Sequence, residues 1–130
     1  MTLKLNRIHH AAIICSNYEQ SKHFYTKILG LKIIDENYRA ERASHKLDLA
    51  VGEHGQIELF SFPEPPARLS HPEACGLRHL AFQVDNVEEQ ATALRRQGVA
   101  VEPLRVDEYT GKKFVFFCDP DGLPLELYEQ

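Results

Sequence analysis

Ile8-His9-His10-Ala11-Ala12-Ile13-Ile14 and Leu77-Arg78-His79-Leu80-Ala81-Phe82 are two versions of one segment. Each is a short apolar run, the length of a strand, with a histidine near its start. Setting His10 on His79 gives an offset of 69 residues, and that offset also sets Ala12 on Ala81, Asn17 on Asn86 and Glu19 on Glu88. Each asparagine then opens a helical pattern, with Gln20 or Glu89 three residues on, the arrangement of an N-cap with a capping-box partner. Phe24, Tyr25, Ile28 and Leu29 give the first helix its apolar face, and Val87, Ala91 and Leu94 give the second its own. Gly30 and Gly98 stand where a left-handed residue ends a helix.

Three strand-like runs follow each helix. They are Leu31 to Ile34, Leu47 to Val51 and Ile57 to Phe62 in the first copy. In the second they are Val99 to Glu102, Phe114 to Cys118 and Leu123 to Tyr128. A turn-forming stretch precedes the last run each time, Gly52-Glu53-His54-Gly55 and Asp119-Pro120-Asp121-Gly122. The last runs carry Ile57-Glu58-Leu59 and Leu125-Glu126-Leu127, so Glu58 and Glu126 are 68 residues apart. The expected fold is α+β: one domain over residues 1–130 made of two βαβββ modules. Module 1 covers about residues 7–62, a proline-rich connector 63–76, and module 2 residues 77–130.

Composition narrows the function classes. At 130 residues and 43% hydrophobic content the chain suits one compact domain. Its net charge of −4 and scattered basic residues argue against nucleic acid as a partner. No apolar stretch is long enough to span a membrane, and Met1 to Arg7 has no signal-like apolar core. Cys15, Cys75 and Cys118 form no CxxC pair and read as reduced, small buried thiols, so the expected location is cytoplasmic.

Taken singly, a strand histidine reads as hydrogen-bonded core and a strand glutamate as solvated. A repeated pair of pairs reads differently. An inward-facing glutamate flanked by leucines requires a cation or strong hydrogen bonds. Two histidines and two glutamates suit one borderline divalent ion per site, Ni, Zn, Co, Mn or Fe. The expected ligands are His10, Glu58, His79 and Glu126. His9 is the competing neighbour, but the repeat sets Arg78 against it.

Ile8-His9-His10, Phe24-Tyr25, Leu29-Gly30-Leu31, Ile57-Glu58-Leu59, Gly76 to Phe82, Asp119 to Gly122 and Leu125-Glu126-Leu127 together resemble the vicinal oxygen chelate superfamily, in its glyoxalase I-like branch. The likeness runs from about Arg7 to Tyr128. It implies paired βαβββ modules curled into a half-open barrel around a divalent metal, in a protein that works as a homodimer on a small-molecule substrate. It implies a lyase or isomerase that abstracts a proton beside a carbonyl polarised by the metal, with Glu126 as the leading base and Glu58 as the second. The alternatives are an isomerase like methylmalonyl-CoA epimerase and a non-enzymatic binding protein. Glutathione-dependent members carry an arginine four residues after the first ligand and an asparagine four after the second. Ile14 and Phe62 stand there in this chain, so the expected substrate is a small carbonyl compound or a hemithioacetal other than a glutathione adduct. Arg39, Arg42 and Lys46, with Arg105, Tyr109, Lys112 and Lys113, lie in polar stretches that are candidate contacts for an anionic substrate.

Overall fold

The computed structural model describes residues 2–130. The chain divides into two compact units, Met1–Pro66 and Ala67–Gln130. Each unit carries one four-stranded sheet and a helix, in the order β-α-β-β-β.

In the first unit β1 (Ala11–Cys15) leads to α1 (Tyr18–His23), β2 (Lys32–Arg39), β3 (Ser44–Val51) and β4 (Gly55–Ser61). The sheet order is β1-β4-β3-β2, with β1 parallel to β4 and the other pairs antiparallel. Side chains alternate across the pleat. Ile13, Cys15, Leu47, Leu49, Ile57 and Leu59 therefore point to one face and are buried there, along with Tyr18, Phe24 and Tyr25. Asn17 caps α1 by accepting from the Gln20 N–H at 3.1 Å. The helix does not run on as one regular α-helix. Phe24–Ile28 forms a π-helical turn in which the Leu29 N–H donates to the Phe24 carbonyl at 2.9 Å. The wider turn brings both Phe24 and Tyr25 into the core, where regular spacing would splay adjacent rings. Gly30 then takes φ 76°, the left-handed conformation expected of it.

The second unit repeats this plan with β5 (Leu80–Val84), α2 (Val87–Arg96), β6 (Arg105–Val106), β7 (Lys113–Cys118) and β8 (Pro124–Glu129), in sheet order β5-β8-β7-β6. Asn86 caps α2 through the Glu89 N–H at 3.0 Å, and Val87, Ala91 and Leu94 are its buried residues. Gly98 closes the helix at φ 83°. Asp119 Oδ1 accepts from the backbone N–H groups of Asp121 and Leu123, both at 2.9 Å, which fixes the turn into β8.

Several elements differ from the expectation. β2 and β3 extend through the polar stretch expected as loop, because Asn37, Tyr38 and Arg39 pair with Lys46, His45 and Ser44. Backbone ladder bonds do not depend on side-chain polarity, and only 40–43 turn. His45 consequently stacks on Tyr18 at 4.1 Å and is no free surface residue. No strand forms at 99–102, although the Glu102 N–H reaches the Phe116 carbonyl at 2.9 Å. Pro103 has no N–H to continue that ladder, and pairing resumes only at Arg105. Of the cysteines only Cys15 is buried. Cys75 lies in the irregular connector and Cys118 ends a strand, both exposed. Among the described residues no helix is long and apolar enough to cross a membrane.

Glu36 ties β2 to the helix. It accepts from the Tyr18 hydroxyl at 2.5 Å and from Lys22 Nζ at 2.7 Å, and these bonds hold its carboxyl below the usual glutamate range. A depressed folded-state pKa stabilises the fold above the ordinary carboxylate range, and that contribution is lost as pH falls from there through the depressed value. Glu36→Gln is expected to lower stability at pH 7 by about 0.5 kcal/mol, a small figure because the pair is solvent-screened. Urea titrations of both proteins at pH 7 and at successively lower pH should show a difference that is largest at pH 7 and shrinks with acidification.

Candidate metal centre

Each unit leaves one sheet face uncovered by its helix, and each such face carries a His–Glu pair. In the first unit the parallel register sets Ala12 opposite Glu58. In the second it sets Ala81 opposite Glu126. The glutamate therefore lies beside the residue two positions after the histidine in both copies. The offset of 69 for the histidines and 68 for the glutamates leaves this register intact, because the missing residue comes out of the intervening chain and not out of a strand. His10 and His79 each stand one residue before the paired strand rather than within it. There a longer side chain can lean across to the neighbouring strand.

His10 Nε2 lies 3.4 Å from Glu58 Oε2, and His79 Nε2 lies 3.2 Å from Glu126 Oε1. The carboxylates are largely buried, with side-chain exposures of 13% and 11%, and the imidazoles are more open at 40% and 32%. His9 Nδ1 is 3.0 Å from His10 Nδ1. The surroundings of the two glutamates differ. Glu58 accepts from Gln56 Nε2 at 3.2 Å and has Lys46 Nζ at 3.8 Å, itself bonded to Asp48 at 2.7 Å. Glu126 faces Phe116 across the β7–β8 ladder, and His79 packs edge-on against that ring at 5.0 Å. Burial lifts the Glu126 carboxyl above the usual range, partly offset by His79.

The donor chemistry fits a divalent ion. Two donors at about 2.1 Å from one ion stand roughly 3.0 Å apart at right angles and roughly 3.4 Å apart at a tetrahedral angle. Both pairs fall in that range. Among the described residues no group of three or more His, Cys, Asp or Glu side chains gathers around one point, and each unit presents its ligand candidates as a pair.

The candidate substrate contacts divide. Arg39 and Lys46 lie on the Glu58 face, by their register with Ser44 and Phe60. Arg105 lies over Phe114 and Phe116, 5.0 and 5.3 Å from the ring centres, on the Glu126 face. Arg42 is exposed in the 40–43 turn. Lys113 alternates with Val115 and Phe117, so it points to the helix side, where it pairs with Glu88 at 2.6 Å. Tyr109 is exposed, and Lys112 Nζ donates to the Gln130 carbonyl. Ile14 is exposed two residues beyond Ala12, and Phe62 stacks on Phe60 at 6.1 Å. Asp48 and Gln56, which join Lys46 around Glu58, were not singled out from sequence. Their alternation along β3 and β4 was the available signal.

The family model described as Glyoxalase/Bleomycin resistance protein/Dioxygenase superfamily matches residues 7–127. This chain belongs to that superfamily. It is 57% identical over 126 residues to the uncharacterized protein YwkD of Bacillus subtilis (strain 168), covering 97% of this chain and 98% of that one. It is 30% identical over 131 residues to the lactoylglutathione lyase of Escherichia coli O157:H7, covering 95% and 93%. The crystal structure of a glyoxalase family protein from Enterococcus faecalis matches with a TM-score of 0.89 at 54% identity, over 95% of this chain and 97% of that one.

Proposed function

We propose that this superfamily member is a divalent-metal-dependent lyase or isomerase of the glyoxalase I type. The observation that carries the reading is the duplicated pair: a histidine ring nitrogen within 3.4 Å of a mostly buried carboxylate, at the same ladder register in both units. His10, Glu58, His79 and Glu126 are the proposed ligands of the ion. Such an ion supplies Lewis acidity toward a carbonyl oxygen and the negative charge that develops on it.

The protein's own groups do the rest. A carboxylate in a partly desolvated site is a stronger base than one in water, and Glu126 has that environment. It takes the proton beside the substrate carbonyl and returns it to a neighbouring carbon or to the opposite face. Glu58 accepts from Gln56 and has Lys46 beside it, contacts that hold the carboxylate in place and suit it to orient rather than to move a proton. The aromatic wall of Phe114 and Phe116 limits water around Glu126.

Ile14 and Phe62 offer neither charge nor amide to a glutathione moiety, and charge-assisted bonds are the strong ones in such recognition. The test is steady-state kinetics of the metal-loaded protein on methylglyoxal hemithioacetals of several thiols, beside a methylmalonyl-CoA epimerase assay. Turnover is expected for a small adduct, with the glutathione adduct well below the diffusional range of ~10⁸ M⁻¹s⁻¹. A kcat/KM near that range with glutathione would reject the substrate assignment. A protein that binds no metal and exchanges no substrate proton would instead be a binding member of the superfamily.

A further inference from the structure

Arg39 is a cation on the Glu58 face that has no carboxylate partner among the described residues. Its guanidinium carbon lies 5.0 Å from the centre of the Phe60 ring and 6.0 Å from that of Phe62, and the two rings are nearly coplanar in orientation, 9° apart. Nη2 donates to Ser44 Oγ at 3.0 Å. Nε is buried and meets no acceptor. Among the described residues no carboxylate lies within ion-pair distance of this guanidinium. Arg105, its counterpart in the second unit, also lies over two phenylalanines but has Glu102 at 3.5 Å. A guanidinium carries a fixed positive charge. Holding one half-buried, against two aromatic rings and short of acceptors, is unfavourable unless an anion completes it. The rings and Ser44 hold the guanidinium in place, and its terminal nitrogens are the donors left to meet a carboxylate.

We infer that Arg39, on its Phe60–Phe62 platform, binds a carboxylate of the substrate and so restricts the substrate class to small carbonyl acids. Phe60 is two residues from Glu58 on the same face of β4, a spacing of roughly 7 Å. A substrate anchored at Arg39 with its carbonyl at Glu58 is therefore only a few carbons long. The inference rests on the reading of the Glu58 face as the substrate site, though not on a metal being bound.

The test uses pyruvate as the carboxylate probe, methylglyoxal as its match without the carboxylate, and inorganic phosphate as the competing anion. Calorimetry gives the affinities, and the Arg39 Nε–H resonance in ¹⁵N-labelled protein reports where the anion sits. Wild type is expected to bind pyruvate with Kd around 1 mM. Arg39→Met should weaken it about 10-fold or more, and methylglyoxal affinity should not change. Arg39→Lys keeps the charge and the aliphatic stem but loses the fork, so it should fall between the two and decides the matter if the Met variant does not fold. The same measurements on a His10→Ala protein separate this inference from the metal reading, because the Arg39 effect should survive there. No saturable pyruvate binding by wild type, equal binding by wild type and both variants, or tighter binding of phosphate than of pyruvate would each overturn the assignment.

Discussion

Replacing His79 or His10 with alanine is expected to lower the affinity for a divalent cation by more than about 100-fold. Groups that merely orient a ligand already account for 10- to 100-fold, so loss of a direct ligand exceeds that range. Both histidines are open enough to be removed without leaving a large core cavity, and neither lies in a paired strand. The fold should survive, and circular dichroism melts would verify it. The measurement is a competition titration with a chromophoric chelator, using Ni, Co, Mn and Zn in turn, with elemental analysis of the purified proteins. Unchanged metal content in both variants would remove the ligand assignment and leave two hydrogen-bonded His–Glu pairs. A loss in only one would move the centre to that unit.

Glu126→Gln is expected to keep the fold and most of any metal affinity but to lose proton-transfer activity by ~10² to 10⁴-fold. Gln preserves the shape and one oxygen ligand but accepts no proton at neutral pH. Glu126 pairs with Ala81 and Phe116 in the ladder through backbone groups alone, so the exchange does not disturb the sheet. Glu58→Gln should cost less, because Glu58 already has Gln56 and Lys46 beside it and is the orienting member. Solvent-deuterium exchange into substrate separates the two roles: it should vanish in Glu126→Gln and persist in Glu58→Gln. The opposite pattern assigns the base to Glu58, and equal retention assigns it to neither.

Much of the architecture was legible in the chain. Asn17 and Asn86 cap their helices as the spacing implies, because a cap is a contact across three residues and needs no distant partner. Gly30 and Gly98 adopt positive φ because a residue without a β-carbon enters the left-handed region at little cost, a purely local property. Val87, Ala91 and Leu94 are buried because a helix repeats every 3.6 residues whatever it packs against. The repeat of His and Glu likewise pointed to the His10–Glu58 and His79–Glu126 pairs before any strand was placed.

Other features required the fold. The strand extensions at Lys32–Arg39 and Ser44–Val51 depend on a partner satisfying backbone groups, which polar side chains do not announce. Lys113 and Lys46 look alike in sequence, yet strand parity sends one to the helix side with Glu88 and the other to Glu58. Arg39 belongs with Phe60 and Phe62 only because β2, β3 and β4 lie side by side. The sequence by itself determined the local geometry, the duplication and the residue types of the candidate centre, since these rest on contacts within a few residues and on spacing. Tertiary structure alone decided which charges share a sheet face and which are left without a partner, because those relations are set by ladder register between strands distant in the chain.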